Sequence, residues 1–330
     1  MKTRILITGA LGFVGRYLCG ELLQSGYEVW ASDLDSACAR VDPPVDPAKV
    51  RACDVANAQD VLALLKALRP EIIAHLAAQS SPARALAEPR ETFLANSLGT
   101  FNLFEAVRSS CPACSVLVVG SADIYGPQIS KGLLTEESSF LPVSPYALSK
   151  ATQDLIALQY SRSHDVRTFR TRSFNHTGPG QTITFALPSF ACQIAQAEAG
   201  LREPVIEVGN LDVVRDFSDV RDVVRAYRLI LETGNAGEAY NVCSGKAASM
   251  EALLGLLLSF SRVKIAVKKV QSRIRPADIP YLVGDNSKLV AQTGWKPRWK
   301  IEQTLSELLD FWRRKVQESS NSGIQRKETR

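Results

Sequence analysis

Histidine occurs only three times in the 330 residues, and the seven cysteines stand singly apart from one pair, Cys111-Pro-Ala-Cys114. A lone CxxC with no second pair and no histidine partner lacks the ligand set of a metal or redox centre, so no metal is expected. Scattered cysteines in odd number argue against a disulfide framework and for free thiols in a reducing cytoplasm. No apolar run approaches the roughly 18 residues that a membrane span needs. The start, MKTRILITGA, reads as a strand and a glycine turn rather than as an apolar signal segment. Charge is mixed, 39 basic against 34 acidic residues, and part of the +5 excess lies in the final stretch QESSNSGIQRKETR. No basic stripe is interleaved with aromatics, which excludes nucleic acid as the expected partner. Internal repeats and low-complexity segments are absent too.

What the chain does have is rhythm. RILIT, EVWAS, VRAC, EIIAHLAA, SVLVVGS and VRTFRTRS are short, apolar and β-branched, and amphipathic segments separate most of them. The expected helices cover about Gly12 to Gln24, DVLALLKAL, a long segment opened by Pro89, and Tyr146 to about Arg162. Near-continuous apolar strands alternating with helices predict a doubly wound parallel sheet covered on both faces. After about Phe174 the elements shorten and loops lengthen. The expectation is therefore an α/β chain with a Rossmann-type unit over residues 1–174, crossed back into near 210–245. A smaller α/β substrate lobe would take most of 175–316, with Ser249 capping the helix MEALLGLLLSF and a last helix over about Ile301 to Val316. Residues 317–330 read as a flexible tail.

TGALGFVG sets Gly9, Gly12 and Gly15 between the first strand and the first helix, with Phe13 and Val14 among them. Glycines there let backbone N–H groups approach a pyrophosphate at a helix N-terminus, where the macrodipole favours negative charge. The strand–turn–helix context makes dinucleotide binding the reading. Asp33 follows at the spacing of a residue that accepts from a ribose 2′-OH and repels a 2′-phosphate, which favours NAD(H). Arg40 nearby would suit a phosphate, so NADP(H) stays open. Asp54 and Val55 close the third strand, standing either against an adenine or simply in a turn.

SPYALSK places Tyr146 and Lys150 four residues apart on one helix face. A phenol with a reference pKa of about 10 shuttles protons poorly at neutral pH. A neighbouring ammonium and an oxidised nicotinamide would favour the phenolate and lower that value. Ser121, closing the strand before DIYG, would hydrogen-bond the reacting oxygen.

Together TGALGFVG, HLAAQ, NSLGTFNLFEA, GSADIYG and SPYALSK resemble the extended short-chain dehydrogenase/reductase superfamily over the whole chain apart from its last residues. The resemblance implies Ser121, Tyr146 and Lys150 as catalytic residues, and Gly9, Gly12 and Gly15 as the dinucleotide turn. Leu76, Ala77 and Ala78 would line the nicotinamide side, and Asn96 would support that wall. Four further stretches, RSFNHTGPGQ, GNLDVVRDFSDVRDV, YNVCSG and RPADIPYLVGDNSKL, are similar to GDP-4-dehydro-6-deoxy-D-mannose reductases. By that likeness Asn175 touches the sugar nucleotide, Asp123 lies beside it, and Arg215 and Arg275 meet its diphosphate, where guanidinium forks match phosphate geometry. Surface salt bridges are the plainer reading of both arginines. His176 is read as structural or substrate-positioning, and His75 as a satisfied core residue.

The implied reaction is reduction of the C4 keto group of GDP-4-dehydro-6-deoxy-D-mannose to GDP-D-rhamnose by NAD(P)H. The rivals are the talose-forming reductase and the GDP-mannose 4,6-dehydratase. Related dehydratases carry Glu two residues after the catalytic Ser/Thr. This chain has Asp123 there, one methylene shorter, which retracts the carboxyl by about 1.5 Å. A protein that senses dinucleotide without catalysis is disfavoured, because Ser121, Tyr146 and Lys150 are all kept. The resemblance also implies a homodimer through the helices from Pro89 and from Tyr146, where Phe101, Phe104, Leu155 and Leu158 supply apolar surface either for that interface or for packing on the sheet.

Overall fold

A computed structural model describes residues 2–34, 45–128, 132–274 and 279–328. Its large sheet is parallel throughout. β1 (Arg4–Thr8) lies inside the sheet, with β2 (Glu28–Asp33) and β3 (Val50–Ala52) on one side and β4 (Ile72–His75), β5 (Ser115–Ser121) and β6 (Thr168–Ser173) on the other. Strand order thus reverses between β1 and β4. In an open α/β sheet the crevice for a ligand forms at such a reversal, beyond the carboxyl ends of the strands. Short β7 (Asn175–Thr177) follows, and β10 (Ala239–Val242) returns to pair with β6 at the sheet edge.

Both faces of the sheet are covered, which is why its strands read as almost unbroken apolar runs. One core packs the helices Phe13–Gln24, Val220–Thr233 and Ser287–Thr293 with Trp295 against Ile5, Ile7, Phe169 and Tyr240. The other packs Ala58–Leu68, Gly99–Ser110 and Pro145–His164 against Leu6, Ile73, Val116 and Val118. The segment opened by Pro89 is helical from Pro89 to Phe93, passes through a π-helical turn at Leu94–Leu98, and continues to Ser110.

A second cluster of elements carries its own core. β9 (Val214–Asp219) pairs with β7, β11 (Ala247–Ser249) and β13 (Tyr281–Leu282), while β8 (Val205–Val208) pairs with β12 (Ala266–Lys269). The helices Ala186–Glu198, Met250–Ser259 and Ile301–Glu328 pack against this group. Ser249 caps the second of them, its Oγ accepting from Ala252 N at 3.1 Å. The last helix continues through the polar stretch that the sequence suggests is a tail, as far as Glu328.

A buried carboxylate ties the Tyr146 helix to β6. Asp154 receives Arg170 Nη1 at 2.6 Å and Arg172 Nε at 3.1 Å, all three residues being almost wholly buried. Arg172 also donates to the Glu136 carbonyl at 2.6 Å and the Tyr125 hydroxyl at 3.1 Å.

Candidate active site

The glycine turn sits where β1 ends at the reversal point. Gly9 has φ +68°, in the left-handed region, and an added Cβ would lie 2.7 Å from the Ala77 nitrogen. Only glycine escapes both penalties there. At Gly15 the obstacle is packing alone, since a Cβ would lie 2.4 Å from the Gly9 carbonyl oxygen. The first helix starts at Phe13 with Gly12 as its N-cap and has no side-chain cap, leaving its leading N–H groups for an anion. Asp33 closes β2 beside this turn. Its carboxylate accepts from Leu11 N at 3.0 Å and Leu34 N at 2.9 Å, so it braces the glycine loop. Arg40 lies outside the described residues.

The wall beyond β4 is equally well supported. Leu76 N donates to the Thr8 carbonyl at 3.1 Å, and Ala77 N to Thr8 Oγ1 at 3.3 Å. Buried Asn96, in the π-helical turn, accepts from Gln79 N at 2.7 Å and donates to the Gln79 carbonyl at 3.1 Å, clamping the loop that holds Ala78. Asp54 and Val55 stand just past β3 rather than within it. The Asp54 carboxylate accepts from Ala56 N at 2.9 Å, and Val55 packs against Gly99.

Ser121, Tyr146 and Lys150 come together at the carboxyl end of β5, and all three are nearly buried, at 9%, 9% and 4% exposure. The helix that carries the last two is well started: Ser144 Oγ accepts from Ala147 N at 3.1 Å, and Pro145 occupies the first turn. Ser121 Oγ accepts from Asp123 N at 3.2 Å, which sets Asp123 at the rim of the same site.

The electrostatics differ from the sequence expectation for Tyr146. Burial, reinforced by the Asp123 carboxylate, pushes the phenol above its ordinary value, while the Ser121 hydroxyl beside it eases the shift. Lys150 does not reverse this, because its Nζ donates to the Val119 carbonyl at 2.9 Å and Gln153 Oε1 at 2.8 Å. Burial in turn lowers the lysine to about 7. In the protein alone, Tyr146 is a protonated phenol.

The segment Arg172–Gln181 forms the facing wall. His176 donates from Nδ1 to the Phe174 carbonyl at 3.0 Å, and its ring stacks on Phe13 with centroids 6.4 Å apart. Burial holds the imidazole below its usual pKa, and hence neutral. Tyr17 donates to the Pro179 carbonyl at 2.9 Å, fastening the Gly-Pro-Gly turn to the first helix. So this polar run sits against the helix of the dinucleotide turn. Asn175 opens β7 opposite Phe217, and its carboxamide has no partner among the described residues. Arg215 lies on β9 between Ala248 and Leu282, with Nη1 donating to the Val214 carbonyl at 2.9 Å. Arg275 lies outside the described residues.

Sequence reasoning missed the polar residues behind Lys150: Thr8, Thr100 and Gln153. The available signal was spacing, since Gln153 follows Lys150 by three positions on the same helix face. His75 is buried and bonded on both ring nitrogens. Cys111 and Cys114 stand at the far end of β5, away from this site, and no group of three or more metal-ligating side chains occurs among the described residues.

Sheet order, glycine turn and the convergence of Ser121, Tyr146 and Lys150 define a Rossmann-type short-chain dehydrogenase/reductase. More narrowly, the chain belongs to the GDP-mannose 4,6 dehydratase family, whose family model matches residues 6–308. It is 35% identical over 320 residues to a GDP-6-deoxy-D-mannose reductase of Pseudomonas aeruginosa, covering 96% of this chain and 100% of that one. A GDP-6-deoxy-D-talose 4-dehydrogenase of Aggregatibacter actinomycetemcomitans is 31% identical over 298 residues, 88% of this chain and 91% of that one. Among solved structures, RMD from Pseudomonas aeruginosa complexed with NADPH superposes with a TM-score of 0.82 at 33% identity, covering 95% of this chain and all of that one.

Proposed function

We propose that this protein reduces the C4 keto group of GDP-4-dehydro-6-deoxy-D-mannose to give GDP-D-rhamnose, using NAD(P)H. The observation that carries the reading is a protonated, buried phenol at Tyr146 with the Ser121 hydroxyl beside it at the mouth of the dinucleotide crevice. A carbonyl reduction needs a proton donor in that state, next to a group that polarises the oxygen. Full-length similarity to a GDP-6-deoxy-D-mannose reductase supports the same direction.

When bound, the reduced nicotinamide supplies a hydride to the sugar carbon. Ser121 hydrogen-bonds the carbonyl oxygen as it gains charge, and Tyr146 delivers its phenolic proton to it. Lys150 holds the cofactor ribose, and its ammonium favours the phenolate left behind. Gly9, Gly12 and Gly15, with Phe13 and Val14, take the pyrophosphate; Leu76, Ala77 and Ala78 flank the nicotinamide, and Asp54 and Val55 border the adenine. Asn175, Asp123, Arg215 and Arg275 take the sugar nucleotide. Residues 1–174, joined from the returning 210–245 segment by the Val220–Thr233 helix and β10, form the cofactor unit, and 175–316 mainly the sugar-nucleotide unit. Asp33 favours NADH, because its carboxylate repels a 2′-phosphate. The protein works in the cytoplasm.

The same reading includes a homodimer. Leu94, Leu98, Phe101, Leu148 and Leu155 are 37–51% exposed on the adjoining Pro89–Ser110 and Pro145–His164 helices and supply apolar surface for such an interface. Phe104, a candidate for the same surface, is wholly buried in the core against Tyr160 instead.

The test is turnover of GDP-4-dehydro-6-deoxy-D-mannose generated in situ, with NADH and NADPH offered separately and the product resolved at C4 by NMR. Stoichiometric nicotinamide oxidation giving the rhamno product, lost in Tyr146→Phe while nucleotide binding remains, is the expected result. A talo product would move the protein to the other stereochemical class. Conversion of GDP-mannose to the keto sugar without net oxidation would make it a dehydratase. Retained turnover in Tyr146→Phe would remove the phenol from the mechanism.

A further inference from the structure

Behind the catalytic lysine runs a continuous chain of hydrogen bonds whose every direction is determined. Lys150 has only protons to give, so Gln153 Oε1 is the acceptor at 2.8 Å. The other end of that amide therefore donates, from Nε2 to Thr100 Oγ1 at 2.8 Å. Thr100 spends its own proton on the Asn96 carbonyl at 2.6 Å. Its oxygen can then only accept from His75, whose Nε2 lies 3.1 Å away and must be the protonated nitrogen. Burial keeps the ring neutral, so Nδ1 is an acceptor and the Thr8 hydroxyl donates to it at 2.8 Å. Thr8 Oγ1 in turn accepts from Ala77 N at 3.3 Å, on the wall of the crevice.

Thr8, His75, Thr100 and Gln153 are all buried. A half-satisfied network in such a place costs more than an apolar one, so one that is satisfied throughout, its two arms both donating to Thr100 Oγ1, specifies a unique arrangement. Burial and the nearby Lys150 ammonium hold His75 down at about 3, so the ring carries a single proton. The chain ends at β1 immediately before Gly9 and at the lysine that faces Tyr146.

We propose that Gln153 is a positioning residue for the reduction: its carboxamide, aimed by Thr100 and neutral His75, holds the Lys150 ammonium in its charged form and so sets the pH at which the Tyr146–Lys150 pair loses its first proton. The inference rests on the reductase reading for its kinetic consequence, but its physical content concerns Lys150 alone. Other titratable and charged groups around the pair are His75 from β4, Asp123 from the turn after β5, and Tyr227 from the Val220–Thr233 helix. Asp154, on the Pro145–His164 helix that carries the pair, is already matched by Arg170 and Arg172 from β6. None of the four substitutes for an amide oxygen bonded directly to the ammonium.

Two substitutions then act in opposite directions. Gln153→Glu puts a carboxylate at hydrogen-bond distance from the ammonium and raises the lysine pKa by about one unit or more. Gln153→Leu removes an acceptor from the charged form and lowers it by about one unit. Reduction needs both Tyr146 and Lys150 protonated, so the alkaline limb of the kcat/KM profile should move up in the first variant and down in the second. The same two shifts should be read without any sugar, by NMR of protein isotopically labelled at lysine Cε, with the Lys150 resonance identified by its loss in Lys150→Met. Variants that retain the wild-type circular dichroism but titrate Lys150 where the wild type does would overturn the proposal, as would two shifts of the same sign. Inactive wild-type enzyme whose Lys150 resonance still shifts oppositely in the two variants would sink the reductase reading and leave the positioning role standing.

Discussion

Replacing Asp154 by Ala should be among the more damaging single changes away from the reacting atoms. It would strip one carboxylate from two guanidinium groups that are 8% and 6% exposed. Removing one partner of a buried ion pair costs about 3–5 kcal/mol, because the remaining charge is left uncompensated. Here the loss falls at the lower end, for two structural reasons. Arg170 keeps the Gly237 carbonyl at 3.0 Å, and Arg172 keeps the Glu136 carbonyl at 2.6 Å and the Tyr125 hydroxyl at 3.1 Å. Arg172 also lies over the rings of Phe140 and Tyr125, at 4.7 and 5.5 Å from their centroids, which offsets part of the lost charge interaction. We therefore expect about 3 kcal/mol, near the low end of the buried-pair range. At about 2 °C per kcal/mol for a chain of this size, Tm falls by about 6 °C. Urea unfolding of Asp154→Ala and Asp154→Asn measures it, the amide retaining an acceptor and about half of the stability. A loss below about 1 kcal/mol in the alanine variant would mean that the cluster behaves like an exposed pair, and burial would not be what sets its strength.

Lys150→Met separates the cost of burying an ammonium from its use in catalysis. Burial lowers the folded-state pKa from 10.5 to about 7, so between those values the unfolded chain binds more protons and stability rises with pH. The wild type should accordingly gain stability relative to Lys150→Met as pH rises through that window in urea titrations without cofactor, and a constant difference would contradict the shift. Phe101 and Leu155, exposed by 44% and 51% on the proposed dimer face, give a test of assembly: the double change to Lys should yield a monomer by analytical ultracentrifugation with fold intact, and an unchanged sedimentation coefficient would place the interface elsewhere.

Much of the fold and part of the site are legible in the amino-acid sequence. The glycines of TGALGFVG, the alternation of apolar strands with amphipathic helices, and Tyr146 and Lys150 one helical turn apart are local patterns, and local patterns follow from backbone geometry and side-chain periodicity. They determined a parallel sheet, the position of the phosphate turn, and which residues of the long helix share a face. The likeness of RSFNHTGPGQ to the reductases pointed to a substrate wall, but its packing on the dinucleotide side depends on a loop closing back onto the first helix through Phe13 and Tyr17.

What tertiary structure decided was chiefly charge state and direction. The sequence puts a lysine near Tyr146 and so suggests a lowered phenol pKa. The fold buries both groups and hands the ammonium to Val119 and Gln153, and burial then pushes the phenol up. By resemblance Phe104 and Phe101 stand either on a dimer face or against the sheet, and the packing of the two helices turns Phe104 into the core while Phe101 stays outside. The relay between Thr8 and Lys150 joins residues from β1, β4 and two helices that lie far apart along the chain. Desolvation and hydrogen-bond direction are properties of three-dimensional neighbours, and no periodicity along the chain encodes them.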